Sequence, residues 1–236
     1  DESQKYIKFN KKIRKKLNLL EGRTVFNLFF EDSTRTRTSF EVAAKRLGAD
    51  LINVALKDSS INKGETLLDT MTTINSMNPD VLIVRHPEEG ISSKISKIVN
   101  SCVINAGDGS YAHPSQALLD VYTMKEKCED FSKLKVAAIG DIKHCRIIGS
   151  QMTLLNRLGC TDIQFYGPKE LLDDNLSPSF SEITDGCMED RDILYVIRVK
   201  HERLKDNENI NMEAFKSTYQ INESFIEKTK FTGSIM

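Results

Sequence analysis

The chain alternates short apolar runs with longer segments in which apolar residues recur at helical spacing. The apolar runs have the usual length of buried strands, and they are rich in β-branched and aromatic residues. The longer segments repeat apolar residues every three or four positions, as Phe40, Ala43, Ala44 and Leu47 do before Gly48. The predicted strands are Thr24–Phe30, Leu51–Leu56, Val81–Val84, Cys102–Asn105, Leu134–Ile139, Asp162–Tyr166 and Ile193–Ile197. This pattern predicts an α/β protein.

A charged connector with few apolar residues, Lys125–Lys133, divides the alternation into two parts. Strands that alternate with helices form parallel sheets with helices on both faces. We therefore predict two doubly wound domains, residues 1–128 and residues 129–236. Ligands of such sheets bind at the carboxyl ends of the strands, so the functional site is expected there.

The end of the first predicted strand carries a cluster of hydroxyl and guanidinium groups, in the run Phe30–Phe40 (FEDSTRTRTSF). The residues at the start of the following helix are Ser33, Thr34, Arg35 and Thr36. The first N–H groups of a helix lack intrahelical partners and its dipole is positive there, so this position favours an anion such as phosphate. The other interpretation is an ordinary capping box of Thr38 and Glu41 with solvated arginines.

Four other predicted strand ends each place a cation or an imidazole in the following loop. These residues are Arg85 after VLIV, His113 after CVIN and a Gly-rich turn, Arg146 after VAAIGD, and Arg198 after DILYVI. Each one alone is more often a solvated charge in a loop. Together with the phosphate-type turn, the four predict a site at which positive groups converge on an anion.

Composition and charge narrow the function further. The 236 residues are 39% hydrophobic with a net charge of −1, so nothing global attracts the protein to nucleic acid or to an anionic membrane. No apolar stretch reaches the roughly 18 residues of a membrane span and the first residues lack a signal-peptide pattern, so a cytoplasmic setting is expected. Leu134–Asp141 lacks the G-x-G-x-x-G pattern, so no nucleotide cofactor is expected.

The cysteines are odd in number and widely spaced, at Cys102, Cys128, Cys145, Cys160 and Cys187. Without a C-x-x-C pair, they indicate reduced thiols rather than a zinc site or a redox centre. Cys145 lies beside His144 and Arg146 and remains open as a catalytic thiol. Neighbours in sequence, however, do not provide the spatial pairing that activates a thiol.

Six runs of the chain resemble the catalytic chain of the aspartate carbamoyltransferases, in the transcarbamoylase family. They are Ser33–Glu41 (STRTRTSFE), Lys63–Thr70 (KGETLLDT), Arg85–Gly90 (RHPEEG), Ile104–Asp120 (INAGDGSYAHPSQALLD), Gly140–Arg146 (GDIKHCR) and Arg198–Leu204 (RVKHERL). The resemblance implies transfer of the carbamoyl group from carbamoyl phosphate to the amine of L-aspartate, the second step of de novo pyrimidine biosynthesis. It implies no metal and no cofactor. Residues 1–128 would bind carbamoyl phosphate, and residues 129–236 would bind aspartate.

The resemblance also assigns roles at the carbamoyl phosphate. The residues that it implies for phosphate binding are Ser33, Thr34, Arg35, Thr36 and Arg85. Thr36, Arg85 and His113 would polarise the carbonyl oxygen, which becomes anionic during the reaction. Gln116 would accept a hydrogen bond from the carbamoyl NH₂ group and so orient it.

For the second substrate, the resemblance implies that Arg146 and Arg198 bind the two aspartate carboxylates, a task that suits planar guanidinium groups. Lys200 stands where the family has a glutamine. Its cation can bind the α-carboxylate of aspartate, but it offers no acceptor to the amine. Aspartate affinity is therefore expected to depend on Lys200.

A polar loop before the third predicted strand carries Ser59 and Lys63. Taken by itself, it is an ordinary surface excursion. The resemblance implies that this loop enters the active site of a neighbouring subunit, so that the active assembly is a homotrimer with shared sites. Ser59 would then contact carbamoyl phosphate, and Lys63 would contact both the phosphate and aspartate.

Several alternatives remain open from the sequence. The second domain is expected to be incomplete at its C-terminal end, because the family continues past the strand that matches Gly233–Met236. Ornithine carbamoyltransferase is the nearest rival activity, and a non-catalytic relative that binds phosphate ligands is another. Association with a regulatory chain, or fusion to other pyrimidine-pathway domains, is compatible with each of these.

Overall fold

The computed structural model describes residues 2–11, 16–54, 66–201, 204 and 210–236. The chain forms two compact units that divide between Tyr111 and Ala112. Each unit is built on its own parallel sheet. Within the described ranges, no helix is long and apolar enough to cross a lipid bilayer.

The first unit contains a four-stranded parallel sheet in the order β2-β1-β3-β4. Its strands are β1 (Thr24–Phe29), β2 (Asp50–Val54), β3 (Val81–His86) and β4 (Cys102–Asp108), and its helices are α1 (Glu2–Asn10), α2 (Thr34–Leu47), α3 (Leu67–Ser76) and α4 (Ile91–Ile95). Successive residues of β1 face opposite sides of the sheet. Leu28 belongs to the apolar cluster that contains Met71 of α3, whereas Phe29 belongs to the cluster that contains Ala44 of α2. Helices therefore cover both faces.

The second unit contains a five-stranded parallel sheet in the order β7-β6-β5-β8-β9. Its strands are β5 (Lys135–Gly140), β6 (Asp162–Tyr166), β7 (Ser179–Phe180), β8 (Ile193–Ile197) and β9 (Ser234–Ile235). Its helices are α5 (Pro114–Lys125), α6 (Arg146–Arg157), α7 (Met212–Tyr219) and α8 (Glu223–Thr229), with 3₁₀ turns at Phe131–Lys133 and Lys169–Leu171. Ala138 of β5 shares an apolar cluster with Ile148 of α6, and its neighbour Ala137 shares one with Phe225 of α8. Here too, both faces of the sheet are covered.

The predicted fold class, α/β with two doubly wound parallel sheets covered on both faces, is confirmed. All seven predicted strands are present, and the described part of the second one is β2. Periodicity did not predict β7 or β9, because a strand of two residues carries no readable repeat. The family resemblance did place a strand at Gly233–Met236, where β9 lies.

In the sequence, Tyr6, Phe9, Ile13, Leu17 and Leu20 recur at helical spacing as an apolar stripe and predict an opening helix that is longer than the observed α1. The stripe continues to Leu17 and Leu20, but α1 ends at Asn10. The backbone N–H groups of Leu17 and Leu20 instead donate to the carbonyl oxygens of Arg46 and Leu47, at 2.6 and 2.9 Å. The end of α2 has carbonyl groups without intrahelical partners, and this segment satisfies two of them.

The position of α5 bears on the division of the chain. Val121 and Met124 of α5 share an apolar cluster with Ile148 and Leu155 of α6, so α5 is grouped with the second unit. The division into residues 1–128 and 129–236 is predicted from the charged connector Lys125–Lys133. It stays a prediction.

Gly140 allows β5 to approach β8 closely at the end of the sheet. Its φ is 120°, and a Cβ there would overlap the carbonyl oxygen of Ile197. We expect Gly140→Ala to lower the free energy of unfolding by about 3 kcal/mol, because positive φ and steric overlap add. Gly22→Ala is the matched control, since its φ is 77° and no described atom lies within 4 Å of its ideal Cβ. The control should cost about 1–2 kcal/mol. Urea unfolding followed by circular dichroism measures both, and equal losses would contradict the close approach of the strands.

Candidate functional site

The N-terminus of α2 lies just beyond the carboxyl end of β1. Ser33 is the N-cap, with extended backbone at φ −159° and ψ 93°, and Thr34 is the first helical residue. The first turn, Thr34–Arg37, consists of threonines and arginines. The helix start is therefore where the sequence predicts it. The dipole, the first N–H groups and the side chains of this turn all favour an anion.

The capping-box interpretation of this turn is wrong. Thr38 lies inside α2, beyond its first turn, and cannot cap it. Glu41 accepts a hydrogen bond from Lys45 Nζ at 2.7 Å and another from Asn53 Nδ2 at 3.2 Å. These bonds lower the pKa of the Glu41 carboxyl below its ordinary value. Glu41 therefore accepts from Lys45 and Asn53 and does not cap the N-terminus of α2.

Arg85 reaches the first turn of α2 from the carboxyl end of β3. Its side chain is buried, and its Nε donates to Glu31 Oε1 at 2.6 Å. Its Nη1 donates to the hydroxyl oxygen of Thr36 at 3.2 Å. Glu31 thus orients the guanidinium plane, and the structure brings the predicted residues Arg85 and Thr36 into direct contact.

Arg35 lies on a different side of α2. It is exposed and lines an apolar groove of about 840 Å³ between α1 and α2, together with Tyr6, Phe9 and Val42. Thr34 also lines this groove. Among the predicted phosphate ligands, Thr36 therefore faces Arg85, whereas Thr34 and Arg35 border the groove.

His113 and Gln116 lie at the start of α5 in the second unit. His113 is the N-cap residue, only 6% exposed, and its backbone N–H donates to Ser150 Oγ at 3.0 Å. Its ring Nδ1 lies 3.3 Å from Ser115 Oγ. Gln116 Nε2 donates to Asp120 Oδ1 at 2.8 Å. These bonds fix both predicted side chains at the helix start.

Asp141 connects the segments that carry the predicted aspartate-binding residues. Its side chain is fully buried, at 0% exposure. One carboxylate oxygen accepts from the backbone N–H of His144 at 3.2 Å and lies 2.8 Å from its ring Nδ1. The other accepts from the backbone N–H of Lys200 at 2.8 Å. Arg146 begins α6 two residues after His144, and Arg198 follows β8 directly. Asp141 therefore fixes both segments.

Sequence reasoning missed the three carboxylates that hold these side chains in place. Glu31 orients Arg85, Asp120 orients Gln116, and Asp141 fixes the backbone next to the predicted cations. Each lies inside or beside a quoted motif. An acidic residue within a cationic motif was the available signal, because a carboxylate beside such residues is a natural partner for them.

Two predicted site residues, Ser59 and Lys63, lie outside the described residues. Their contact with a neighbouring subunit stays a prediction. Lys200 is among the described residues and lies two positions after Arg198. Its backbone N–H donates to the Asp141 carboxylate.

The cysteines are free thiols. Burial raises the pKa of the Cys145 thiol, and it raises the pKa of Cys160 to about 11. A thiol that keeps its proton at neutral pH is a poor nucleophile, so the structure disfavours a catalytic role for Cys145. In the part of the chain that the structure describes, no group of three or more His, Cys, Asp or Glu side chains could hold a metal ion.

Comparison with known proteins identifies a family to which the chain is similar. A family model described as the carbamoyl-phosphate-binding domain of aspartate/ornithine carbamoyltransferases matches residues 1–126. The aspartate carbamoyltransferase catalytic subunit of Granulibacter bethesdensis is 41% identical, over 100% of this chain and 75% of its own length. The subunit of the same name from Pelagibacter ubique is 42% identical, over 86% of this chain and 66% of its own length. The matched parts are thus two thirds to three quarters of these relatives.

The chain is also similar to solved structures of aspartate transcarbamoylases. Aspartate transcarbamoylase from Trypanosoma cruzi, in complex with carbamoyl phosphate, has a TM-score of 0.84 and 32% identity, over 99% of this chain and 76% of that one. A second structure of that enzyme, in complex with N-(phosphonacetyl)-L-aspartic acid, also has a TM-score of 0.84, with 33% identity. The catalytic subunit from M. jannaschii has a TM-score of 0.81 and 36% identity, over 100% of this chain and 79% of that one.

Proposed function

Because this chain belongs to the aspartate and ornithine carbamoyltransferase family, we propose that it transfers the carbamoyl group of carbamoyl phosphate to the amine of L-aspartate. The products are N-carbamoyl-L-aspartate and phosphate, and the step belongs to pyrimidine biosynthesis. The family predicted from the sequence is confirmed by the family model and the relatives. Aspartate is proposed as the acceptor because the relatives and solved structures described above are named as aspartate enzymes.

The contact between Arg85 and Thr36 carries the proposal. It joins a guanidinium and a hydroxyl at the N-terminus of α2, where the helix itself favours an anion. A dianionic leaving group needs charge-assisted hydrogen bonds that strengthen as the bond to carbon breaks. Ser33, Thr34, Arg35 and the backbone N–H groups of the first turn complete the proposed set of donors to phosphate.

The second unit supplies the remaining proposed roles. His113 donates to the carbonyl oxygen of carbamoyl phosphate, and Gln116 accepts from its NH₂ group. Arg146 and Arg198 bind the aspartate carboxylates, with Lys200 beside them. The buried Asp141 supports these roles, because it fixes the backbone of both segments.

The proposed assembly is a homotrimer in which Ser59 and Lys63 serve a neighbouring active site. A cytoplasmic setting is proposed with it. Both come from the resemblance to the family, and sedimentation analysis of the purified protein tests the first of them. A regulatory chain or fusion partner stays a prediction.

Initial rates with two acceptors test the proposed reaction. The purified protein is incubated with carbamoyl phosphate and either L-aspartate or L-ornithine, and the carbamoylated amino acid is quantified. The proposal predicts product with aspartate and only background with ornithine. A preference for ornithine would assign the chain to the other branch of the family.

A non-catalytic relative is the second candidate, and Lys200 is the observation that favours it. Lysine there repels Arg198 and offers no acceptor to the aspartate amine. Tight binding of N-(phosphonacetyl)-L-aspartate without turnover would identify this case. Turnover of carbamoyl phosphate and aspartate by the wild type, above the uncatalysed background, would exclude it.

A further inference from the structure

A buried carboxylate on α5 collects three side-chain hydrogen bonds within the second unit. Asp120 is only 6% exposed. Its Oδ1 accepts from Gln116 Nε2 at 2.8 Å. Its Oδ2 accepts from Gln151 Nε2 at 2.7 Å and from the Tyr195 hydroxyl at 2.9 Å. A buried carboxylate needs such donors, because the loss of hydration is otherwise uncompensated.

The three donors come from three elements. Gln116 lies one turn before Asp120 on α5, Gln151 lies on α6, and Tyr195 lies on β8. Burial, with the Asp120 charge next to it, raises the pKa of the Tyr195 hydroxyl, so it keeps its proton and donates. Gln151 is buried as well. The bonds from Gln151 and Tyr195 therefore fix the position of the carboxylate that accepts from Gln116.

The contact with Asp120 decides which way the Gln116 amide points. An ionised carboxylate accepts hydrogen bonds and cannot donate them. The NH₂ end of Gln116 must therefore face Asp120, and the carbonyl oxygen Oε1 takes the other end of the amide. A glutamine without this partner could present either end to a ligand, since the two ends are nearly equal in shape.

We propose that Asp120 is a positioning residue that fixes Gln116 with its acceptor oxygen toward the ligand. The protein thereby binds acyl phosphates whose acyl group carries N–H more tightly than those whose acyl group carries methyl. This inference rests on the proposed function, because Gln116 acts there on the carbamoyl NH₂ group. The selected class is carbamoyl phosphate and the rejected class is represented by acetyl phosphate. Asp120 itself touches neither ligand.

Asp120→Asn tests this because it reverses the polarity of the contact. The introduced amide has one acceptor oxygen and one donor nitrogen. Its oxygen is best placed where Oδ2 stands, because two donors, Gln151 and Tyr195, meet there. The introduced nitrogen then takes the position of Oδ1 and faces Gln116. Gln116 must turn its side-chain oxygen toward this nitrogen to accept from it. Gln116 would consequently present a donor to the ligand, opposite the carbamoyl NH₂ group.

The experiment measures the dissociation constants of carbamoyl phosphate and acetyl phosphate by calorimetry. We expect the wild type to prefer carbamoyl phosphate and Asp120→Asn to lose about tenfold or more of that preference. Tyr195→Phe is the matched control, since it removes one bond to the same carboxylate without reversing Gln116. Its preference should stay within about twofold of the wild type.

Each outcome decides one claim. An unchanged preference in Asp120→Asn, or an equal loss in Tyr195→Phe, overturns the role of Asp120 alone. A wild type that binds neither ligand overturns the proposed function and this inference with it. If Asp120→Asn does not fold, amide exchange in the wild type decides. The Gln116 side-chain amide protons should exchange more slowly than those of the exposed Gln220 with carbamoyl phosphate bound, and equal rates overturn the inference.

Discussion

Arg85→Ala should lower kcat/KM for carbamoyl phosphate about 10²–10³-fold, the usual cost of removing one donor to a developing anion. Arg85 is buried at the end of β3, where Glu31 fixes its Nε and its Nη1 meets the Thr36 hydroxyl. Its charge is therefore held in place before the substrate arrives. The loss should appear in steady-state rates at saturating aspartate, with the fold checked by circular dichroism.

Arg37→Ala provides the matched control. Arg37 lies in the same first turn of α2 but is exposed, and no role in the reaction is proposed for it. Its removal should change kcat/KM by less than about threefold, the size of a screened surface charge effect. Arg85→Lys should not restore activity, because an ammonium cannot engage Glu31 and Thr36 with a planar fork. Similar losses in Arg37→Ala and Arg85→Ala would mean that only general positive charge matters.

Asp141→Ala should lower the free energy of unfolding by about 3 kcal/mol, because it leaves the buried N–H group of His144 and the part-buried N–H group of Lys200 without their acceptor. It should also raise KM for aspartate more than KM for carbamoyl phosphate. The segments that it connects carry Arg146 and Arg198, which are proposed to bind the aspartate carboxylates. Urea unfolding and steady-state kinetics measure the two effects.

The control for this variant is Asp174→Ala. Asp174 is an exposed aspartate of the same unit, so its removal should change stability by no more than about 0.5 kcal/mol. A loss of stability in Asp141→Ala without any change in KM for aspartate would limit Asp141 to a folding role. An equal rise in both KM values would place its effect elsewhere than on the aspartate-binding segments.

The elements that the sequence predicted best are those with a local signal. The strand β1, the turn after it and the start of α2 follow from an apolar run, an N-cap serine and a helical repeat that Gly48 ends. The cations at the ends of β3 and β8 follow from their position after continuous apolar runs. A local pattern of this kind needs no knowledge of the rest of the chain.

Which side chains pair within the site could not be predicted, because the partners are distant in sequence and belong to separate elements. Glu31 and Arg85 are 54 positions apart, and Asp120 and Tyr195 are 75 apart. Their contact depends on strand order, which local periodicity does not specify. The same reason explains the end of α1, since Leu17 and Leu20 leave the helical pattern to bond with α2.

Formation of one covalent bond tests the central claim most directly. The purified protein is given ¹³C-labelled carbamoyl phosphate and ¹⁵N-labelled aspartate, and the mixture is followed by nuclear magnetic resonance. A carbamoyl ¹³C signal split by directly bonded ¹⁵N, growing in step with free phosphate, is the predicted result. Release of phosphate without that splitting, or binding of the labelled substrates without reaction, would contradict the proposed carbamoyl transfer.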